Sequence, residues 1–181
     1  MVVMPGLPGL VDPSERLRPS FLAAVAEFRA DRDFPVPWFV QDVDPEALTG
    51  RAGFAAYVAR LLGERTEAGV RDGFVPMTTL WWADGERFLG RLAVRHRLTP
   101  ALERLGGHIG YDVRPGARRR GHATAMLAAA LPIARRLGVT SALVMCDRTN
   151  TASRRVIEAN GGRLLDLTDR KRRYLVPTDP A

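Results

Sequence analysis

Residues 116–123 read Gly-Ala-Arg-Arg-Arg-Gly-His-Ala, between a strand-like run closing at Val113 and a helix-like run opening at Gly121. The chemistry on offer is anion binding. Gly121 lets the backbone approach a ligand, and the first N–H groups of a helix have no intrahelical partner. Those donors, the helix dipole and neighbouring guanidinium groups suit a phosphate. A P-loop is excluded, because His122 and Ala123 stand where the motif needs Lys and Ser or Thr. The only acid near the next strand is Asp147, and the dinucleotide fingerprint G-x-G-x-x-G is missing as well. An ordinary solvated basic loop would share this composition, so the flanking elements must decide.

Two helices are expected first. Phe21, Leu22, Val25 and Phe28 have helical spacing within 14–33, ended by Pro35 and Pro37. Residues 44–65 read as one helix, with Asp44 as N-cap, Pro45 at its first position and an apolar stripe from Phe54 to Leu62. The pattern then turns strand-like: 76–84 and 87–96 flank Asp84-Gly85 as an antiparallel hairpin. A short helical piece at 99–106 leads to a strand at 107–115, and a long helix over 121–137 follows the arginine loop. Pro132 should cost that helix a hydrogen bond and bend it. The apolar run 140–147 suits a strand buried on both faces; a helix at 150–162 ends in glycines, and a terminal hairpin closes the chain. The fold class is therefore mixed α/β, a mostly antiparallel sheet with one parallel pair made by a strand–helix–strand crossover.

Composition sets broader limits. A length of 181 residues suits one domain, 1–181, and 46% hydrophobic residues fit a globular chain. No run approaches the roughly 18 apolar residues of a membrane span, and the proline-broken N-terminus, lacking a basic segment, makes a poor secretory signal. A lone Cys146 excludes an internal disulfide framework and fits the cytoplasm; three scattered histidines argue against a metal site. The net charge of +7 is almost wholly arginine, Lys171 being the only lysine. Acids are interleaved nearly throughout, and Tyr111 is the only aromatic near 114–120, which counts against nucleic acid as a partner.

The series Y-x-V-R-P-x-x-R-R-x-G-x-A-T-x-M-L, then A-R-x-L-G-V, L-V-M-C-D, N-x-A-S and V-I-E-x-N-G-G, runs collinearly from Gly107 to Gly162. This order resembles the GNAT superfamily of N-acetyltransferases. G-x-V-P at 73–76 and R-H-x-L-T at 95–99 look like a bacterial subgroup of predicted acetyltransferases, and the motif-bearing core spans about 73–176. The resemblance implies the acyl-CoA N-acyltransferase fold, acetyl-CoA as cosubstrate without a metal, and an amine acceptor. Homodimers are common in the superfamily. By the same resemblance, Tyr111, Asp112 and Val113 pair with the pantetheine arm, and the Val113 N–H polarises the thioester carbonyl. Arg119, Arg120, Gly121, His122, Ala123 and Thr124 wrap the pyrophosphate, and Asn150 contacts the arm.

Where many relatives carry a Tyr that protonates the leaving thiolate, this chain has Ile157. No residue is assigned as catalytic. His108, Tyr174, His96 and Asp112 are weak substitutes, each more simply read as structural, and His122 as a residue of the helix surface. Cys146 reads as buried packing, and Asn150 is in any case a good N-cap. Asp31, Asp33 and Asp42 have the charge for a cationic amine, although loop acids are usually solvated. The competing function is a non-catalytic acyl-CoA-binding module, which the Ile157 departure favours. The acceptor itself carries no readable motif.

Overall fold

The computed structural model describes residues 6–179. The N-terminal stretch read against a secretory signal lies partly outside them. Seven strands form one sheet: β1 Gly9–Val11, β2 Met77–Asp84, β3 Arg87–Arg95, β4 Ile109–Val113, β5 Ser141–Asp147, β6 Arg163–Leu167 and β7 Lys171–Pro177. Their order across the sheet is β1-β2-β3-β4-β5-β7-β6. Every neighbouring pair is antiparallel except β4 and β5, which run parallel and are joined by the crossover helix α6, His122–Arg136. The mixed fold class inferred from the sequence stands.

Both faces of the sheet are covered, and strand alternation assigns each residue to one of them. On one face Leu92, Val94, Ile109, Val144 and Tyr174 pack under Met126, Leu127 and Ala130 of α6 and Ile157 of α7, Thr151–Ala159. On the other, Trp81 and Phe88 meet the first helices: α1 Arg18–Ala30, α2 Trp38–Gln41, α3 Pro45–Thr49 and α4 Arg51–Gly63; the short α5, Pro100–Leu105, links β3 to β4. Phe21 of α1 is the hub of that second core, its ring 5.0 Å from Trp81, 5.1 Å from Phe88 and 5.6 Å from Phe54.

Two details depart from the sequence reading. The helix expected over 44–65 is two helices, broken where Gly50 takes an extended conformation at ψ 145. Asp44 caps the first of them, accepting the Glu46 N–H at 2.9 Å. The short β1 and α2 had no expectation, yet Leu10 and Val40 are buried. As read from the sequence, α6 is one helix that continues through Pro132 to Arg136, although the proline ring has no N–H to give the preceding turn.

The feature that matters most for function is the weakness of the β4–β5 seam. Only Ile109 and Val144 are in parallel register there. Immediately before β4, Gly107 has φ +71, and a Cβ there would sit 2.4 Å from the Leu143 carbonyl oxygen. Glycine thus lets the chain touch β5 once before the strands diverge. A Gly107→Ala protein should lose about 1–2 kcal/mol from the left-handed backbone alone, and more from the clash. Thermal denaturation against Gly110→Ala, whose added methyl meets nothing within 4 Å, measures this; equal melting temperatures would contradict it.

Candidate functional site

Past Ile109 the two parallel strands separate, and the main chain of β4 shows which groups face the gap. Arg95 donates to the His108 carbonyl, and Arg114 donates to the Leu89 carbonyl, both at 2.8 Å. In an antiparallel ladder such bonded pairs alternate. Gly110 and Asp112 therefore spend their main-chain groups on Ala93 and Arg91, their partners in β3. Tyr111 and Val113 point theirs the other way, toward β5. Of the three β4 residues expected at the pantetheine arm, two offer main-chain groups to the cleft. Asp112 instead has its carboxylate 3.3 Å from Arg91, a partner that leaves it poorly placed as a free base.

Helix α6 starts at the mouth of this cleft. Gly121 is its N-cap in the left-handed conformation (φ +78), with no side chain capping the helix. Arg119 is also left-handed at φ +60, the only described residue other than glycine with positive φ. Left-handed residues before an uncapped helix turn successive N–H groups into one concavity, a ready anion site. A ligand can come close, because nothing lies within 4 Å of the position a Gly121 Cβ would take. Ala123 and Thr124 follow in the first turn, half-buried.

The loop arginines divide into two pairs. Arg114 donates to Glu27 Oε1 at 2.9 and 2.6 Å, and Arg118 donates to Asp31 Oδ2 at 2.7 Å. The Arg118 guanidinium also lies 4.6 Å from the Phe34 ring centroid. Arg119 and Arg120 are exposed and make no ion pair among the described residues. They are the free charge at the helix start. The reading of Asp31 and Asp42 as acids for a cationic amine is corrected here, since both are taken: Asp31 by Arg118, and Asp42 by Arg60 and Arg71 at 3.2 and 3.0 Å. Asp33 donates its N–H to Asp31.

Across the cleft, the Tyr111 hydroxyl is 2.7 Å from Ser153 Oγ, tying β4 to the first turn of α7. Burial pushes the Tyr111 phenol well above its usual value. Asn150 caps α7 by accepting the Ser153 N–H at 2.9 Å, which leaves its amide nitrogen for a ligand. Ile157 is wholly buried, so the position of the relatives' acid is core.

The weak catalytic candidates each have a partner within the fold. His108 accepts the Leu143 N–H on Nδ1 at 3.0 Å and donates its own N–H to the Leu143 carbonyl, bracing the base of the seam. His96 Nε2 is 2.8 Å from the Thr78 hydroxyl. Tyr174 is 1% exposed and donates to Glu158. Cys146 is buried, and burial raises its thiol pKa, as a packing role requires. His122 differs from its expected surface role: its Nδ1 accepts the Trp82 indole N–H at 3.2 Å, fastening the start of α6 to β2. Sequence reasoning also missed Glu27 and Ser20. Ser20, Glu27 and Asp31 recur at sevens and fours, one helix face, but their arginine partners lie 87 or more residues away.

Comparison with known proteins fits this geometry. The profile of the family described as an acetyltransferase (GNAT) domain matches residues 15–163. The chain belongs to that family. No curated protein sequence matches. Among solved structures, the ribosomal L7/L12 alpha-N-protein acetyltransferase RimL (apo) shares 15% identity and a TM-score of 0.62, covering 95% of this chain and 91% of its own. Mycobacterium smegmatis RimJ in complex with CoA-disulfide shares 19% identity, TM-score 0.67, with 95% and 82% covered. The microcin C7 self-immunity acetyltransferase MccE, in complex with acetyl-CoA and AMP, shares 11% identity, TM-score 0.66, with 95% and 93% covered. At these identities the likeness is one of fold. Among the described residues there is no cluster suited to a metal ion, and no helix is long and apolar enough to cross a membrane.

Burial, the largest cause, holds all three histidines below the ordinary imidazole value of about 6.5, with Arg95, Arg65 and Arg120 acting in the same direction on His108, His96 and His122. A lowered folded pKa means the unfolded chain takes up the proton first. Stability is then complete above about pH 6.5 and falls as pH drops toward the folded values. Melting temperatures should decline by several degrees between pH 7.5 and pH 5.5, and His108→Gln should flatten part of that slope. A flat wild-type profile would contradict the neutral state of these rings in the folded protein.

Proposed function

We propose that this protein is an acetyl-CoA-dependent N-acetyltransferase that moves an acetyl group to a primary amine of a protein or small molecule. The observation that carries the proposal is the splayed β4–β5 cleft opening onto the uncapped start of α6, where Arg119 and Arg120 are unpaired. The residues suit coenzyme A: the N–H groups from Arg120 to Thr124, with Arg119, Arg120 and the Thr124 hydroxyl, hold the pyrophosphate, while Tyr111 and Val113 pair with the pantetheine arm. Support also comes from membership of the GNAT family. RimJ and MccE relatives with coenzyme A or acetyl-CoA bound have the same fold. The lone buried cysteine suits the reducing cytoplasm.

When bound, acetyl-CoA supplies an acetyl group already activated as a thioester. The protein contributes position and polarity. The main-chain N–H groups of Tyr111 and Val113 face the cleft and stabilise negative charge developing on a carbonyl oxygen there. No protein nucleophile is needed for direct attack by an amine. With Ile157 in the core, the Tyr111–Ser153 hydroxyl pair is the proton-bearing group that the cleft offers a departing thiolate. A thiol with an ordinary pKa near 8.5 also leaves without full protonation.

The second reading, a binding module without turnover, rests on Ile157 and predicts the same cofactor site. Isothermal titration of acetyl-CoA into wild type and Gly121→Glu tests what both share. The variant places a bulky anion on a left-handed backbone at the pyrophosphate site, and affinity should fall by at least about a hundredfold, the equivalent of roughly 2.7 kcal/mol. Thiol release with a panel of amines then separates the two: sustained release establishes the transferase, whereas saturable binding without release on any amine favours the module. Absence of binding by the wild type would overturn both.

A further inference from the structure

Glu27 in the last turns of α1 and Asp31 at its C-cap sit beside the loop of an anion site. Glu27 accepts both Arg114 bonds on Oε1 and the Gly116 N–H on Oε2 at 3.0 Å. Arg114 in turn donates to Ser20 Oγ at 3.1 Å and to the Phe88 carbonyl at 3.4 Å. Four residues along the helix, Asp31 holds Arg118, whose Nε also reaches the Val113 carbonyl at 3.3 Å. The loop from the end of β4 to the start of α6 is thus stitched to α1 at three points: strand exit, Gly116 and Arg118. Between the stitches Ala117 is 3% exposed, pressed into the core on the far face of the sheet. Only beyond Arg118 does the loop swing out, at Arg119.

We infer that Glu27 and Asp31 are positioning residues for the cofactor loop: they immobilise Arg114, Gly116 and Arg118 so that Arg119, Arg120 and the first N–H groups of α6 are set before the pyrophosphate arrives. The inference rests on the cofactor site proposed above. Its physical content is a sign. By Coulomb's law alone, removing a carboxylate near an anion site improves anion binding. If the carboxylate fixes the loop, removing it makes binding weaker, because the ordering cost then falls on the binding step. The two effects oppose each other, and geometry favours ordering: the two acids fix three points of one short loop, whereas their charges act on a solvent-exposed helix start, where screening weakens them.

The test is coenzyme A titrated calorimetrically into wild type, Glu27→Gln, Asp31→Asn and, as a charge-matched control, Asp33→Asn, whose side chain makes no ion pair among the described residues. Melting temperatures and amide hydrogen exchange of the free proteins are measured in parallel. Expected are affinities about tenfold weaker in Glu27→Gln and Asp31→Asn, the worth of one charge-assisted hydrogen bond. Amides from Gly116 to Thr124 should exchange faster in the free variants, and Asp33→Asn should bind as wild type or slightly tighter. With an accepted amine, KM for acetyl-CoA should rise while kcat holds. Unchanged or tighter binding in a folded Glu27→Gln or Asp31→Asn overturns the inference while leaving the cofactor site intact. Loss of melting temperature with unchanged affinity overturns it too, since the acids would then serve stability alone. A wild type that fails to bind coenzyme A is a different result, one that removes the site itself.

Discussion

Everything functional here depends on a hydrogen-bond ladder that stops early. Two parallel strands in the middle of a sheet would ordinarily pair along their length, because buried N–H and C=O groups left alone are costly. β4 and β5 pair in register only at Ile109 and Val144. Main-chain groups of Tyr111 and Val113 beyond that point are therefore available to a ligand with an extended, amide-bearing arm. The sheet tolerates the gap because its two sides are held by other means. His108 replaces ladder bonds at the base with its ring nitrogen, and the Tyr111–Ser153 hydroxyl contact links β4 to α7 over the gap. On the outer flanks β4 is pinned to β3, and β5 to β7, by full antiparallel registers. The cleft is an opening between two half-sheets, each paired along its outer flank.

The same economy governs charge. A chain with a net charge of +7 does not present an undifferentiated basic loop. Arg114 and Arg118 are matched by acids of α1, and Arg173 is paired with Asp166 in the terminal hairpin. What remains free at the start of α6 is confined to Arg119 and Arg120. Local neutralisation narrows a long-range field into a short-range site, which favours one bound anion over loose attraction to polyanions. It also joins the two faces of the sheet, because α1, packed through Phe21 on Trp81 and Phe88, reaches around to the loop that starts α6 on the opposite face.

Local order made much of this legible in the sequence. The β2–β3 hairpin, the β4–loop–α6 unit and the capped start of α7 are each set by neighbours within a few residues, and all three form as read. The failures have physical causes. Gly50 looks tolerable inside a helix, yet its extended backbone splits the run and leaves the stripe from Phe54 to Leu62 wholly on the second helix. β1 spans only three residues after Pro8 and has its identity from pairing with β2 rather than from propensity. Arg118 and Arg119 are the same residue type side by side; only the fold, which brings Asp31 to one and left-handed backbone to the other, tells them apart. In the site, the helix-start donors could be read from Gly121 and the motif order around it. The acids of α1 could not, since a carboxylate on a helix is normally solvated and nothing nearby in sequence marks its arginine.

The central claim is that coenzyme A enters the β4–β5 gap with its pyrophosphate on the start of α6. The most direct measurement is amide chemical-shift mapping by nuclear magnetic resonance as coenzyme A is added to the wild-type protein. The account predicts the largest changes at the amides of Tyr111, Val113 and Arg119 through Thr124, with a smaller group at Asn150 and Ser153, and little change at Gly110 and Asp112, whose main-chain groups are spent on β3. Changes centred elsewhere, or equal effects at Asp112 and its odd-numbered neighbours, would contradict it.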